Sequence, residues 1–141
     1  MIEIGSPTER LPMTGSAKPT VYVVDDDAAV LGSLRFLLET DGFAVRTFKN
    51  ATALLNAAGT AAGADCYVID YKMPDINGID LTTRLRQSYG DMPVILITGY
   101  PDENISRRAA AAGVKDVVLK PLLDENLIKR IHRAIEDRQH N

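Results

Sequence analysis

The sequence predicts an α/β fold: a three-layer sandwich in which helices cover both faces of a central five-stranded parallel sheet. Three observations predict it. Short runs rich in Val, Ile and Leu alternate with segments of helical period from Thr20 to the last helix. All but the second of these runs are almost wholly apolar, as in strands buried on both faces. Four of them end abruptly on a polar side chain. Strict alternation of this kind builds a parallel sheet through right-handed crossovers, with helices on both sides.

Thr20–Val24 (TVYVV) is the first strand and runs straight into Asp25, Asp26 and Asp27. Val30, Leu31, Leu34, Leu37 and Leu38 then recur at helical spacing over 27–40, with Asp27 suited to cap the start and Gly42 to stop the end. Residues 44–48 form a second, weaker strand, 51–58 a short helix, and 59–63 an Ala/Gly loop with no lysine and no phosphate-loop motif. Cys66–Ile69 is the third strand, closed by Asp70. Met73-Pro74-Asp75 with Asn77-Gly78 reads as a turn, and Ile79, Leu81 and Leu85 carry a helix to about Ser88. Pro93–Ile97 (PVILI) is the fourth strand, closed by Thr98-Gly99, and 102–112 an alanine-rich helix ended by Gly113. Val117–Leu119 is the fifth strand, closed by Lys120-Pro121. Leu127, Ile128, Ile131 and Ile135 mark a last helix over about 124–137.

With 141 residues, 45% apolar and 25% charged, the chain suits one globular domain with a real core. Its net charge of −3 argues against a strongly basic nucleic-acid surface, so no direct nucleic-acid binding is expected. The single cysteine, Cys66, excludes an internal disulfide and a thiolate zinc cluster, and its apolar surroundings suit a buried hydrophobe. His132 and His140 stand apart from other metal-binding side chains and read as surface residues. No apolar stretch approaches the ~20 residues that cross a bilayer. Met1–Lys18 is polar, with Gly5, Pro7, Pro12 and Gly15, and lacks the apolar core of a signal peptide. It reads as a disordered lead-in (1–18), Met13 being an alternative start, ahead of a folded domain over 19–138. The expected location is cytoplasmic, away from membranes.

The polar strand ends point to chemistry. In a parallel sheet all strand C-termini share one edge, and ligands bind there where strand order reverses. For an order 2-1-3-4-5 that crevice lies between the first and third strands and sets Asp26 opposite Asp70. Crowded carboxylates repel unless a cation compensates. Mg²⁺ suits them, since it takes one or two carboxylates and shares its shell with phosphate. One carboxylate can then attack phosphorus to give an acyl phosphate. Lys120 is placed to neutralise the transferred group, and the Thr98 hydroxyl to donate to it. Taken singly, each of these is an ordinary strand-end residue; taken together, they describe a phosphoryl site.

These residues also resemble a family. VVDDD at 23–27, VIDYKMPDING at 68–78, LITG at 96–99 and LKPL at 119–122 stand in the order found in receiver domains of two-component response regulators. The resemblance covers about Lys18 to Asp137. It implies a flavodoxin-like (βα)5 fold and a phosphoryl group accepted from a sensor histidine kinase or phosphotransfer protein. By position it implies Asp70 as phosphoacceptor, Asp26 as direct Mg²⁺ ligand, Asp25 acting through a water and the Lys72 carbonyl as a further ligand. Thr98 matches the switch hydroxyl, Lys120 the phosphate-pairing lysine, and Pro121 a residue often preceded by a cis peptide. No enzymatic turnover is implied beyond Mg-dependent self-phosphorylation and autodephosphorylation. The TGYPD run at 98–102 is similar to receivers that often precede a LuxR-like DNA-binding domain. Whether the chain stands alone or is the receiver part of a longer regulator stays open.

One position departs from the family pattern. The family usually carries Tyr or Phe three residues before the lysine, where this chain has Val117. Lys72 and Tyr100 occupy the positions flanking the phosphoryl group, so the bulk of Tyr100 is expected to slow attack by water. Asp116 and Arg130 hold positions that pair across dimers in some subfamilies, which raises self-association on phosphorylation as an expectation. Rival readings are a haloacid-dehalogenase-like phosphatase, which needs an acid at position 72; a flavin-binding module, which needs a hydroxyl-rich first loop; and an interaction module that signals without phosphorylation.

Overall fold

The computed structural model describes residues 18–60, 63–100, 102–120 and 125–139. Five strands, β1 (Thr20–Val24), β2 (Ala44–Phe48), β3 (Cys66–Asp70), β4 (Val94–Thr98) and β5 (Asp116–Leu119), form one parallel sheet in the order β2-β1-β3-β4-β5. Between and after them run α1 (Ala28–Thr40), α2 (Ala51–Thr60), α3 (Gly78–Tyr89), α4 (Glu103–Ala112) and α5 (Glu125–Gln139). The expected fold class and strand order are those observed.

Alternate strand residues face opposite sides, which divides the core in two. Val21, Val23, Val68, Ile95 and Ile97 pack with Leu31, Leu34 and Leu38 of α1 and with Leu127, Ile131 and Ile135 of α5. Tyr22, Val24, Ile69 and Leu96 pack instead with Leu54 of α2, Leu81 and Leu85 of α3, and Ile105 and Ala109 of α4. Because β3 and β4 are buried on both sides along their whole length, their sequences show no alternation. Truncating a fully buried leucine such as Leu38 or Leu54 to alanine costs about 2–5 kcal/mol.

The register sets the functional edge. Val24 pairs with Ile69, so the next residues, Asp25 and Asp70, lie side by side. Asp70 pairs with Ile97 and Thr98 with Leu119, which brings Thr98 and Lys120 to the same edge.

Several element ends differ from expectation. Gly59 and Thr60 continue α2 instead of opening the loop, because Ala57 and Ala58 stay buried against the sheet. Gly59 there faces the Tyr89 hydroxyl so closely that a Cβ would lie 2.8 Å from it. Strands β3 and β4 keep their polar last residues within the ladder. Asn77-Gly78 starts a helix and is not a turn: Asn77 caps α3, its Oδ1 accepting from the Asp80 N–H at 2.9 Å. Gly113 ends α4 in the left-handed region at φ 95°, as its place in the sequence suggests. Asp116 and Arg130 form an ion pair with each other within the chain. His132 is half-exposed, with Nε2 2.8 Å from Asp41 and its ring against Phe43. The expectations for the lead-in and for the Pro121 peptide fall outside the described residues.

Candidate functional site

The site starts with three consecutive aspartates that the chain puts to three uses. Asp27 caps α1: its Oδ1 accepts from the N–H groups of Ala29 at 2.9 Å and Val30 at 3.3 Å, so helix formation occupies it. Asp25 is fully buried, its Oδ1 accepting from the Asp27 N–H at 2.9 Å. Asp26 between them is exposed. The strand order was expected to set Asp26 opposite Asp70; the register of β1 on β3 instead sets Asp25 beside Asp70 and buries it, while Asp26, one residue further on, joins the cluster from its exposed side.

Asp70 ends β3 and is 4% exposed. One carboxylate oxygen from each of Asp25, Asp26 and Asp70 lies within 4.8 Å of the others. Lys120 reaches across from β5, its Nζ 3.0 Å from Asp25 Oδ2 and 3.2 Å from Asp70 Oδ1. That ammonium pairs with two of the three clustered carboxylates. Asp25 Oδ2 is buried and has no well-aligned hydrogen bond among the described residues, so the ammonium is its main compensation.

The electrostatics follow from this crowding. Burial first, and then the Asp25 charge, push the Asp70 carboxyl up to about 6, against the opposing pull of Lys120. Burial by itself would lower Lys120, but its hydrogen bond and charge contacts with Asp25 and Asp70 outweigh that and raise its pKa. Cys66, buried in β3, has its thiol pushed up to about 12 by desolvation and is inert, as its apolar surroundings suggested.

A crevice of about 430 Å³ opens over these groups, lined also by Lys72, Met73, Thr98 and Tyr100. Thr98 is 3% exposed and its Oγ1 accepts from the Tyr100 N–H at 3.2 Å. Lys72 is exposed at the rim. All six residues singled out by sequence, Asp25, Asp26, Asp70, Lys72, Thr98 and Lys120, line this one crevice.

Sequence reasoning missed Gly78. A Cβ on it would lie 2.5 Å from the Asp70 carbonyl oxygen and 2.6 Å from Leu96 Cδ1. Its N–H donates to the Tyr71 carbonyl at 2.8 Å, and the Tyr71 N–H donates to the Ile97 carbonyl at 2.8 Å. Gly78 thus presses the start of α3 onto the backbone of Asp70. The signal was present as a glycine just after an N-capping Asn, but the pair also spells a turn.

The donor set suits a hard divalent cation. It offers clustered carboxylate oxygens, one of them buried without an aligned donor, and an excess of negative charge that Lys120 does not cancel. The same edge can hold a tetrahedral anion between Lys120 and Thr98.

Comparison with known proteins agrees with this geometry. Residues 21–132 match the family of the response regulator receiver domain. The chain is 38% identical over 121 residues to the transcriptional regulatory protein FixJ of Bradyrhizobium diazoefficiens, covering 85% of this chain and 58% of that one. It is 36% identical to the response regulator protein TmoT of Ectopseudomonas mendocina, covering 82% and 52%. The chain therefore spans little more than half the length of these relatives. A solved CheY-like receiver domain from Methanospirillum hungatei superposes with a TM-score of 0.82 at 25% identity, covering 88% of this chain and 98% of that one. None of the described helices is long and apolar enough to cross a membrane. By sequence, by fold and by the acidic edge of its sheet, the chain belongs to the response regulator receiver domains of two-component signalling.

Proposed function

We propose that Asp70 is the residue phosphorylated in this receiver, within a unit spanning 19–138, and that the carboxylates of Asp25, Asp26 and Asp70 with the Lys72 carbonyl hold Mg²⁺. The observation that carries this is the meeting of three carboxylates and one ammonium in a single crevice at the sheet edge. When bound, the cation neutralises the acidic cluster and screens the incoming phosphoryl oxygens.

The remaining work falls to the chain. An Asp70 oxygen forms the new P–O bond as the bond from phosphorus to the donor breaks. Lys120, already 3.2 Å from Asp70 Oδ1, turns its ammonium onto a phosphoryl oxygen. Thr98 keeps its own proton while accepting from Tyr100, so it can donate that proton to another phosphoryl oxygen. Added charge at Asp70 then biases the loops after β3 and β4 between two arrangements. The donor is a sensor histidine kinase or a phosphotransfer protein, and the readout acts on a downstream partner or output, with self-association as one route.

Incubation with acetyl phosphate and Mg²⁺ tests the reading. Intact mass rises by one phosphoryl group, and Asp70→Asn abolishes the gain. An unchanged wild-type mass, or a gain that survives Asp70→Asn, overturns it.

A further inference from the structure

The Lys72 side chain is exposed, so it does not hold in place the backbone carbonyl that the cation would use. The two neighbours of Lys72 set the direction of that carbonyl. On one side, Tyr71 has both backbone groups engaged. Its N–H donates to the Ile97 carbonyl and its carbonyl accepts from the Gly78 N–H, each at 2.8 Å. On the other side the anchor is a side chain. Met73 is 9% exposed and packs into the core on the side of α2, α3 and α4. Pro74 follows and restricts Met73 to extended backbone, so its side chain and the peptide joining it to Lys72 move together. Met73 also lines the acidic crevice, which leaves one side of a core residue open to whatever enters there. The other described methionine, Met92, is 6% exposed and does not line the crevice.

We propose that Met73 is an oxidation site that governs the acidic crevice: peroxide converts its thioether to the sulfoxide, the side chain leaves the core, and the Lys72 carbonyl turns away from the cation. The inference rests on the phosphoryl-site reading. In the reaction a sulfur lone pair attacks one oxygen of hydrogen peroxide and the O–O bond breaks. The sulfur gives up two electrons and keeps that oxygen. The other oxygen leaves as hydroxide and takes the proton from the first, giving water. The product no longer suits its surroundings. A sulfoxide is strongly polar, and the core cluster that holds Met73 is largely apolar, with Ile69, Leu81 and Leu96 among its members. Burying the new oxygen there without a donor is unfavourable, whereas the crevice admits water and carries the ammonium of Lys120. Met73 thus acts through Lys72, as a positioning residue and not as a ligand. Methionine sulfoxide reductases return the thioether, so the change is reversible. Uptake of phosphate at Asp70 then depends on the oxidation state of its crevice wall.

Graded treatment of the full chain with hydrogen peroxide, followed by peptide mass mapping and calorimetric titration with Mg²⁺, tests this. Met73 gains one oxygen at lower peroxide than Met92, and that gain lowers Mg²⁺ affinity by about tenfold or more while circular dichroism stays native. The two methionine sulfoxide reductases together remove the oxygen and restore the affinity. Met73→Leu keeps an apolar anchor without sulfur, so its affinity is the same before and after peroxide. Met73→Gln carries a polar tip of similar length and reproduces the weakened binding with no peroxide. An oxygen on Met73 that leaves Mg²⁺ affinity unchanged overturns the inference and leaves the phosphoryl-site reading standing. So does a Met73 that reacts no earlier than Met92, an equal loss of affinity in treated Met73→Leu, or a loss that comes only with unfolding. Untreated wild type that binds no Mg²⁺ overturns both.

Discussion

Replacing the proposed phosphoacceptor should stabilise the metal-free domain. Folding takes the Asp70 carboxyl from an ordinary 3.8 to about 6, mainly through burial and then the neighbouring Asp25 charge. A carboxyl whose pKa is raised by folding binds its proton more tightly in the native state. Its contribution therefore favours folding at low pH and is lost as pH rises from about 4 to about 6. At about 1.4 kcal/mol per tenfold, the ionised group costs on the order of 3 kcal/mol at neutral pH. The crevice admits water to its outer side, which reduces the measurable effect to about 1–3 kcal/mol. Asp70→Asn keeps the shape, removes the charge and leaves Lys120 paired with Asp25. Urea unfolding in EDTA at pH 7.5 should show the variant more stable by that amount. Near pH 4, where the wild-type carboxyl is protonated in the fold, the gap should fall below about 1 kcal/mol. Saturating Mg²⁺ should narrow it at pH 7.5, since the cation relieves the same repulsion. A variant no more stable than wild type at pH 7.5, or a gap that does not depend on pH, would refute this account of the site's electrostatics.

Gly78→Ala should destabilise the domain by about 1–3 kcal/mol and slow phosphorylation by small-molecule donors, because the added Cβ displaces the Asp70 carbonyl; urea unfolding and phosphorylation rates check both. Lys120→Met leaves Asp25 buried without its cation, and a loss of about 1–3 kcal/mol is expected without metal. The same change removes a positive charge that competes with a divalent ion, so calorimetry should find tighter Mg²⁺ binding. With limiting Mg²⁺, the rate of phosphorylation from acetyl phosphate should fall as pH drops through about 6, as Asp70 takes up its proton. Saturating metal should move that midpoint to lower pH, and a midpoint indifferent to Mg²⁺ would argue against a shared site.

Much of the fold was legible because its signals are local. Fully apolar runs marked β1, β3 and β4, and their missing alternation followed from burial on both faces. The helix starts at Asp27 and Asp102 and the stop at Gly113 are readable because caps act within one turn. Asn77-Gly78 failed as a signal because turn and cap use the same residues, and only Asp70 and Leu96, distant or across the sheet, show why glycine is needed. The extension of α2 through Gly59 likewise depends on Tyr89, a partner from another element.

The sequence by itself determined which residue types stand at the ends of which strands, and so the chemistry on offer: acids after β1 and β3, a hydroxyl after β4, an ammonium after β5. It did so because strand limits and strand polarity are written in neighbouring residues. Only the tertiary structure decided how those groups are used. The register of β1 against β3 buries Asp25 beside Asp70, and the reach of Lys120 ties both together. The space between α4 and β5 leaves Tyr100 exposed beside a cavity. Distances, burial and empty volume arise between segments far apart in the chain, and no local pattern encodes them.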